Sequence, residues 1–397
     1  MSRPDKQIIR GFPESEFQTR LAKVQRLMEN GDVGCVLLTT EAEIYYFTGF
    51  LTQFWQSPTR PWYVILPSSG NPIAVIPSIG EELMSSCFVS KIKTWASPDG
   101  RDDGLQLLIK TLEECINGVE KIGMMLGKET SMRMPTNDIM SLFSHFGKSK
   151  LVDVTKGIQY LRMIKSPREV EKIKFVCTKV SNIFEKLSTF LVVGLPLREI
   201  FKEFKLSCLS DGLDDVSYLV GAAGAGGYCD IIAPPGDQKL KRGDVLMLDT
   251  GTKWDGYYCD FDRNYGIGEV SDEASKVHEI LYESISLVAK EIKPYKVTMK
   301  DIYQSFNISL EESNCHKKIK SGSVGRFGHG VGIQLTEKPS IISWDQTPAE
   351  PGMVLTLEPS LVYGPENCLM VAEENILITE DGVEFLTKRW PRSLPLV

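Results

Sequence analysis

The chain has 397 residues, with 45 lysines and arginines against 52 aspartates and glutamates, a net charge of -7. That acidic balance, without a basic stripe, argues against nucleic acid as a partner, and no apolar stretch reaches the roughly 18 residues of a membrane span. An apolar share of 42% and a charged share of 24% are ordinary globular usage, and the length allows two domains.

The opening stretch MSRPDKQIIRGFPESEF lacks an apolar core and does not read as a signal peptide. Helical spacing with a charged outer face covers 16–30, and the apolar runs 35–40, 62–67 and 72–77 predict strands buried on both faces. Residues 104–116 are again helical and 121–126 predict a strand. Strands interleaved with helices predict a small α/β domain, placed at residues 1–160. At IKSPREVEKIK the pattern changes. Ser166 can cap a helix beginning at Pro167, with Glu169 at the capping-box position. A long amphipathic helix should follow, opening a second domain at 161–397. There, 243–251, 256–268, 352–363 and 374–387 predict strands joined by tight turns, and helices such as 274–292 lie between them. This is an α+β pattern with an antiparallel sheet. Neither a 20–50-residue repeat nor a low-complexity tract is present.

The nine cysteines, Cys35, Cys87, Cys115, Cys177, Cys208, Cys229, Cys259, Cys315 and Cys368, are odd in number, scattered and never spaced as CxxC. They read as reduced thiols of a cytoplasmic protein. Cys259 is expected to face away from its neighbour Asp260, because successive strand residues point to opposite faces.

Five residues of the second half carry the chemistry. Asp249 ends the apolar run VLMLD, and Asp260 follows eleven residues later on the facing strand of a hairpin. His329 lies in GRFGHGVG, Glu358 interrupts VLTLEPSL, and Glu373 stands at the edge of MVAEENILIT. A carboxylate among apolar strands is costly unless it is paired or bound to metal. Four of them with one imidazole, and no run of buried basic residues, call for cations. Oxygen-rich ligation with one nitrogen suits Mn(II), Fe(II), Co(II) or Zn(II). Two such ions can share bridging carboxylates and supply a hydroxide as nucleophile or base at neutral pH.

In order and spacing, LMLDTGTKWDGYYCDFDRNYGIG, FGHGVGIQLTEKP, GMVLTLEPSL and VAEENILITEDG resemble the metal-site blocks of the creatinase, prolidase, aminopeptidase P and methionine aminopeptidase superfamily. IKSPREVEKIK is similar to the start of its catalytic domain, and the first half resembles the N-terminal domain that creatinase, prolidase and aminopeptidase P share. The resemblance covers essentially the whole chain. It implies a C-terminal pita-bread fold with a curved antiparallel sheet, behind a smaller α/β domain. It also implies two divalent ions, manganese first, with zinc, cobalt or iron as alternatives. By resemblance, Asp249 binds the first ion only, Asp260 and Glu373 bridge, and His329 and Glu358 complete the second site.

The sequence departs from the family pattern at the substrate shell. The peptidases carry two further histidines there. At the first position, in GGYCDIIAPPGDQKLKRGD, this chain has Ile232, with Asp230 nearby; at the second it has Thr336, followed by Glu337-Lys338-Pro339. The chain has four histidines, His145, His278, His316 and His329, and neither His278, on a predicted helix, nor His316, in a charged segment, is placed to substitute. The family's Asp-x-Thr-Arg reads Asp260-Phe261-Asp262-Arg263, and a common arginine near Glu373 is replaced by Val371. Asp262 is read either as part of a structural network with Arg263 or as a counter-charge or further metal contact. Losing one donor to the tetrahedral intermediate costs about 10²–10³ in rate, so the same metal core could serve a different bond.

Asp262, Thr336 and Asp230 are thus the candidate catalytic residues. In similar proteins the loop corresponding to 45–62 reaches the site of the partner subunit. Phe54, Trp55 and Arg60 are accordingly candidates for substrate binding in a homodimer, Trp55 by cation–π contact and Arg60 by clamping a carboxylate. The expected activity is metal-dependent hydrolysis of an amide bond, as in Xaa-Pro dipeptidases. The alternatives are a hydrolase or lyase for a small betaine-, ectoine- or sulfonium-like zwitterion, and a non-catalytic binding protein.

Overall fold

The computed structural model describes residues 8–57, 59–116, 120–312, 325–364 and 366–397. Ile9–Arg162 and Met163–Val397 form two compact units. The expected division fell at residues 160 and 161.

The first unit is a six-stranded sheet of β1 (Val33–Leu38), β2 (Tyr63–Pro67), β3 (Ile73–Pro77), β4 (Lys91–Trp95), β5 (Lys121–Met124) and β6 (Leu151–Asp153), ordered β4-β3-β2-β1-β5-β6. The β1–β2 and β2–β3 pairs are antiparallel and the others parallel. The helices are α1 (Glu14–Glu29), α2 (Glu41–Thr48), α3 (Glu81–Ser85), α4 (Leu105–Cys115), α5 (Thr136–Phe146) and α6 (Thr155–Met163). Leu108, Ile109 and Leu112 of α4 pack on Cys35, Leu37, Tyr63, Ile65 and Val75, which is why these strands read as continuous apolar runs. The strand expected at 35–40 lies two residues earlier, because Thr40 is the extended residue that precedes α2.

The second unit opens with α7 (Pro167–Leu187), started by the expected capping box. The Glu169 N–H donates to Ser166 Oγ at 3.3 Å, and the Ser166 N–H donates to Glu169 Oε2 at 2.9 Å. Then come α8 (Leu197–Ser210), β7 (Asp215–Ala225), β8 (Asp244–Trp254), β9 (Tyr257–Tyr258), β10 (Phe261–Gly266), α9 (Asp272–Glu291) and α10 (Met299–Glu312). The last strands are β11 (His329–Gly330), β12 (Glu337–Ser340), β13 (Val354–Leu357), β14 (Ser360–Tyr363), β15 (Cys368–Val371), β16 (Glu374–Ile378) and β17 (Val383–Phe385). The named strands pair antiparallel throughout this unit. They form a β10-β8-β7 sheet with β9 on β8, a β12-β11-β13-β16-β17 sheet, and a β14-β15 ribbon. Val277, Leu281, Ile285 and Val288 of α9 pack against Met247, Leu355, Leu357 and Ile376.

Three expected strands prove to be two each. The run 352–363 breaks at Glu358-Pro359, where proline has no N–H to give a ladder. The run 374–387 turns at Asp381-Gly382. The run 256–268 is interrupted at Cys259-Asp260, so Cys259 is a buried residue of the break rather than of a strand. Among the described residues, no helix is long and apolar enough to cross a membrane.

Candidate metal centre

Strand β8 lies between β7 and β10, so the apolar run that ends at Asp249 is a central strand. In the β8–β10 register Asp262 stands directly across from Asp249. Residues so paired point to one face, and Asp260, in the break just before β10, lies near enough for the Asp249 charge to act on it. Asn375 grips the backbone of Asp260: its Oδ1 accepts from the Asp260 N–H at 3.0 Å, and its Nδ2 donates to the Asp260 carbonyl.

The other sheet brings the imidazole. A Cβ on Gly330 would lie 2.3 Å from the Lys338 carbonyl oxygen, and one on Gly328 would lie 2.2 Å from that of Thr356. Only glycine lets the strand carrying His329 approach its neighbours so closely. The His329 N–H donates to Thr356 Oγ1 at 3.0 Å, and its Nδ1 sits 3.0 Å from the Gly330 carbonyl oxygen. A carbonyl can only accept, so the proton lies on Nδ1 and Nε2 keeps a free lone pair.

That lone pair faces carboxylates. His329 Nε2 is 3.4 Å from Asp260 Oδ2 and 3.8 Å from Glu358 Oε1. Asp260, His329 and Glu373 offer ligand atoms that all lie within 4.8 Å of one another. Asp249 belongs to the same cluster, since its charge raises the pKa values of Asp260, Glu373 and Glu358. One oxygen each of Asp249, Asp262, Glu358 and Glu373 is buried without a hydrogen-bond partner.

Burial is the first cause of every displaced pKa here. It pushes Asp249 and Glu358 up to about 7. Asp260, Asp262 and Glu373 stand well above the carboxylate range, through burial and then through one another's charges and that of Asp249. His329 is pushed down to about 3 by burial and then by the Arg326 charge, so its ring is neutral at ordinary pH. A neutral imidazole nitrogen and several buried carboxylates, whose repulsion Arg326 answers in part, form a donor set that fits divalent cations of the zinc, manganese, iron or cobalt kind.

Asp262 is 2% exposed and accepts from the Glu373 N–H at 2.8 Å through Oδ1. The expected Asp262–Arg263 network takes another form: Arg263 donates to the carbonyls of Asp262 and Glu373 and to the Glu374 carboxylate, not to the Asp262 carboxylate. Asp230 is exposed, its Oδ1 accepting from the Ile232 N–H at 2.8 Å, and Thr336 is exposed just before β12. The contacts that define the cluster involve neither. In the first unit, Trp55 is 7% exposed, packed with Phe50 and Trp62, and the Arg133 guanidinium lies 5.0 Å over its ring. Its indole is part of that unit's packing and already has a cation. Phe54 and Arg60 are half-buried. Of the remaining histidines, His278 is 3% exposed with Nε2 against the Pro391 carbonyl, His145 of α5 meets Glu113 of α4, and His316 lies outside the described residues.

The sequence reading passed over three participants. Tyr218 of β7 lies beside Asp249 and, after burial, bears on its titration, Arg326 Nε lies 3.5 Å from Glu358 Oε1, and Asn375 holds Asp260. Arg326 stands in the glycine-rich stretch already singled out, and Asn375 is two residues past Glu373, but a single sequence gives no distance for either.

Residues 171–380 match the profile of metallopeptidase family M24, and residues 20–164 match the creatinase/prolidase N-terminal domain. An uncharacterized peptidase of Staphylococcus epidermidis is 27% identical over 93% of this chain and 99% of its own length. A prolidase from Thermococcus sibiricus superposes with a TM-score of 0.84 at 23% identity, over 98% of this chain and 100% of that one. An Xaa-Pro dipeptidase from Bacillus anthracis does so at 0.81 and 19% identity, over 96% and 100%. At these identities the two structures speak for the fold. The chain belongs to metallopeptidase family M24, within the creatinase/prolidase superfamily of pita-bread fold, and is a metal-dependent, peptidase-like hydrolase.

Proposed function

We propose that the protein holds two divalent ions, manganese first and zinc, cobalt or iron as alternatives, and hydrolyses an amide bond in the manner of Xaa-Pro dipeptidases. The observation behind this reading is the ring of buried carboxylate oxygens without partners around the free Nε2 of His329. Asp249 would hold one ion, Asp260 and Glu373 would bridge, and His329 and Glu358 would complete the other site. Bound ions would polarise the substrate carbonyl and activate water. Around them, Tyr218 lies beside Asp249, and the Gly330 carbonyl fixes the His329 ring. In the substrate shell Thr336 and Asp230 stand at or near the places of the family's two histidines, and Asp262 adds a buried carboxylate.

A second reading is favoured by that shell. With Ile232 and Thr336 where the peptidases carry histidine, and Asp262 added, the site suits a small zwitterion whose cationic group meets Asp262, cleaved by hydrolysis or elimination. We further propose a cytoplasmic homodimer in which Phe54 and Arg60 serve the site of the partner subunit, while Trp55 stays within its own unit's packing. The protein loaded with Mn(II) is assayed against Gly-Pro, Ala-Pro and a panel of betaine-, ectoine- and sulfonium-like compounds. Turnover of the dipeptides excludes the second reading; turnover of zwitterions alone overturns the first. Turnover of neither by the loaded protein leaves a binding protein.

A further inference from the structure

Outside the metal cluster, one pair of side chains has chemistry of its own. The Leu369 N–H donates to the Tyr228 carbonyl at 2.6 Å, forming an isolated antiparallel bridge between the segment after β7 and strand β15. Tyr228 is firmly held: it is 1% exposed, its hydroxyl donates to Asn264 Oδ1 at 3.0 Å, and the hydroxyl oxygen itself accepts from the Val371 N–H at 2.8 Å. One step along the bridge, Cys229 comes opposite Cys368. In a regular antiparallel ladder the pair next to a hydrogen-bonded one is the close kind, and such spacing would set the Cα atoms of Cys229 and Cys368 about 4.5 Å apart, inside the roughly 4.4–6.8 Å that a disulfide spans. Both cysteines are free, and Cys229 lies near enough to add, after burial, to the upward push on the Cys368 thiol.

We propose that Cys229 and Cys368 are a redox-modification site that hydroperoxides convert to a reversible disulfide. The two thiols differ in the way such a reaction needs. Cys229 is exposed and can meet the oxidant, while Cys368 is 7% exposed and lies against it. The Cys229 thiolate attacks the O–O bond, which breaks to release an alcohol, or water from hydrogen peroxide, and leaves a sulfenic acid. The Cys368 sulfur then attacks the Cys229 sulfur, the S–O bond breaks, and water departs. Two thiols lose two electrons and two protons, and the peroxide gains both. Cys35, Cys177, Cys208 and Cys259 are buried, and Cys87 and Cys115 are half-buried, so among the described cysteines Cys229 is the exposed one.

The bond would anchor a segment that runs beside the metal centre. Beyond Cys229, the Ala233 carbonyl accepts from the Gly221 N–H at 3.2 Å and Gln238 Nε2 donates to the Ala223 carbonyl at 2.7 Å, both on β7. Val220, the neighbour of Gly221, is the residue across from Asp249.

The test treats the full chain with one to two equivalents of hydrogen peroxide, alkylates remaining thiols and maps non-reduced peptides by mass spectrometry. The expected result is one linked pair containing Cys229 and Cys368, a loss of two titratable thiols of the nine, and full recovery with dithiothreitol. The Cys368→Ser variant should form no link and should hold Cys229 as a sulfenic acid that dimedone traps. In the wild-type chain, three results overturn the proposal: Cys229 driven to sulfinic acid without a link, both thiols still alkylated, or either one linked elsewhere. The wild-type readout stands even if the variant fails to fold.

Discussion

Removing metal should reverse the pH dependence of stability, and the size of the effect follows from two carboxyls. In the unfolded chain Asp249 and Glu358 titrate near 3.8 and 4.5; in the metal-free fold both are held up to about 7. Between those values the fold binds more protons than the unfolded chain. This contribution to stability is therefore fully present below about pH 4 and is lost as the pH rises through about 7. At about 1.36 kcal/mol per pKa unit it is on the order of 3–4 kcal/mol per group. Bound cations act the opposite way, because ligation requires the ionised carboxylates and so gains as protons leave. At pH 6 the two groups are largely protonated and at pH 8 largely ionised, so the number of protons released on metal binding should fall over that range. His329, held near 3, is already neutral and releases none. Calorimetry of Mn(II) binding in buffers of different ionisation enthalpy counts the protons, and thermal melts of the chelated and loaded protein from pH 5.5 to 8 give the stabilities. A proton count that ignores pH, or a chelated protein that gains stability as pH rises, would refute the reasoning.

Three further outcomes are expected. His329→Ala removes the one nitrogen of the cluster; metal retained after dialysis, measured by elemental analysis, should fall at least about 10-fold, and activity with it. Asn375→Ala orphans the N–H and carbonyl of Asp260, at about 1–3 kcal/mol for each buried group, so the melting midpoint should drop by roughly 4–24 °C; an unchanged midpoint would show that Asn375 is not a clamp. Ser166→Ala should cost about 1 kcal/mol through the lost cap, seen as a midpoint about 2–4 °C lower with the kinetic constants of the metal-loaded protein unchanged.

Much of the second unit was legible because its sequence signals are local. The capping box at Ser166 and Glu169 needs four consecutive residues, and the acidic residues at 249, 260, 358 and 373 stand out against apolar strands. Strand β7 was missed: DVSYLVGAAGA alternates poorly and is rich in glycine and alanine, so neither period nor propensity marks it, and Tyr218 went with it. The strand ends at Cys259-Asp260 and Glu358-Pro359 lay inside apolar runs that hid them. Asn375 and Arg326 matter through distances fixed by tertiary packing, which no spacing rule conveys. The N-terminal aromatics show the converse: Trp55 looked like a binding surface in sequence and lies among Phe50, Trp62 and Arg133.

The five converging side chains are drawn from both sheets of the second unit: Asp249 and Asp260 from the β7–β10 side, His329, Glu358 and Glu373 from the β11–β17 side. Cations seated among them would act as a clasp between two layers, added to the hydrogen bonds that Asn375, Asp262 and Arg263 already make across them. Unlike a covalent crosslink, a clasp of this kind tightens or loosens with the free metal concentration around it. The seam between the sheets would then report the supply of metal, and resistance to proteolysis along that seam would follow the metal content of the surroundings before any change in catalysis was measured.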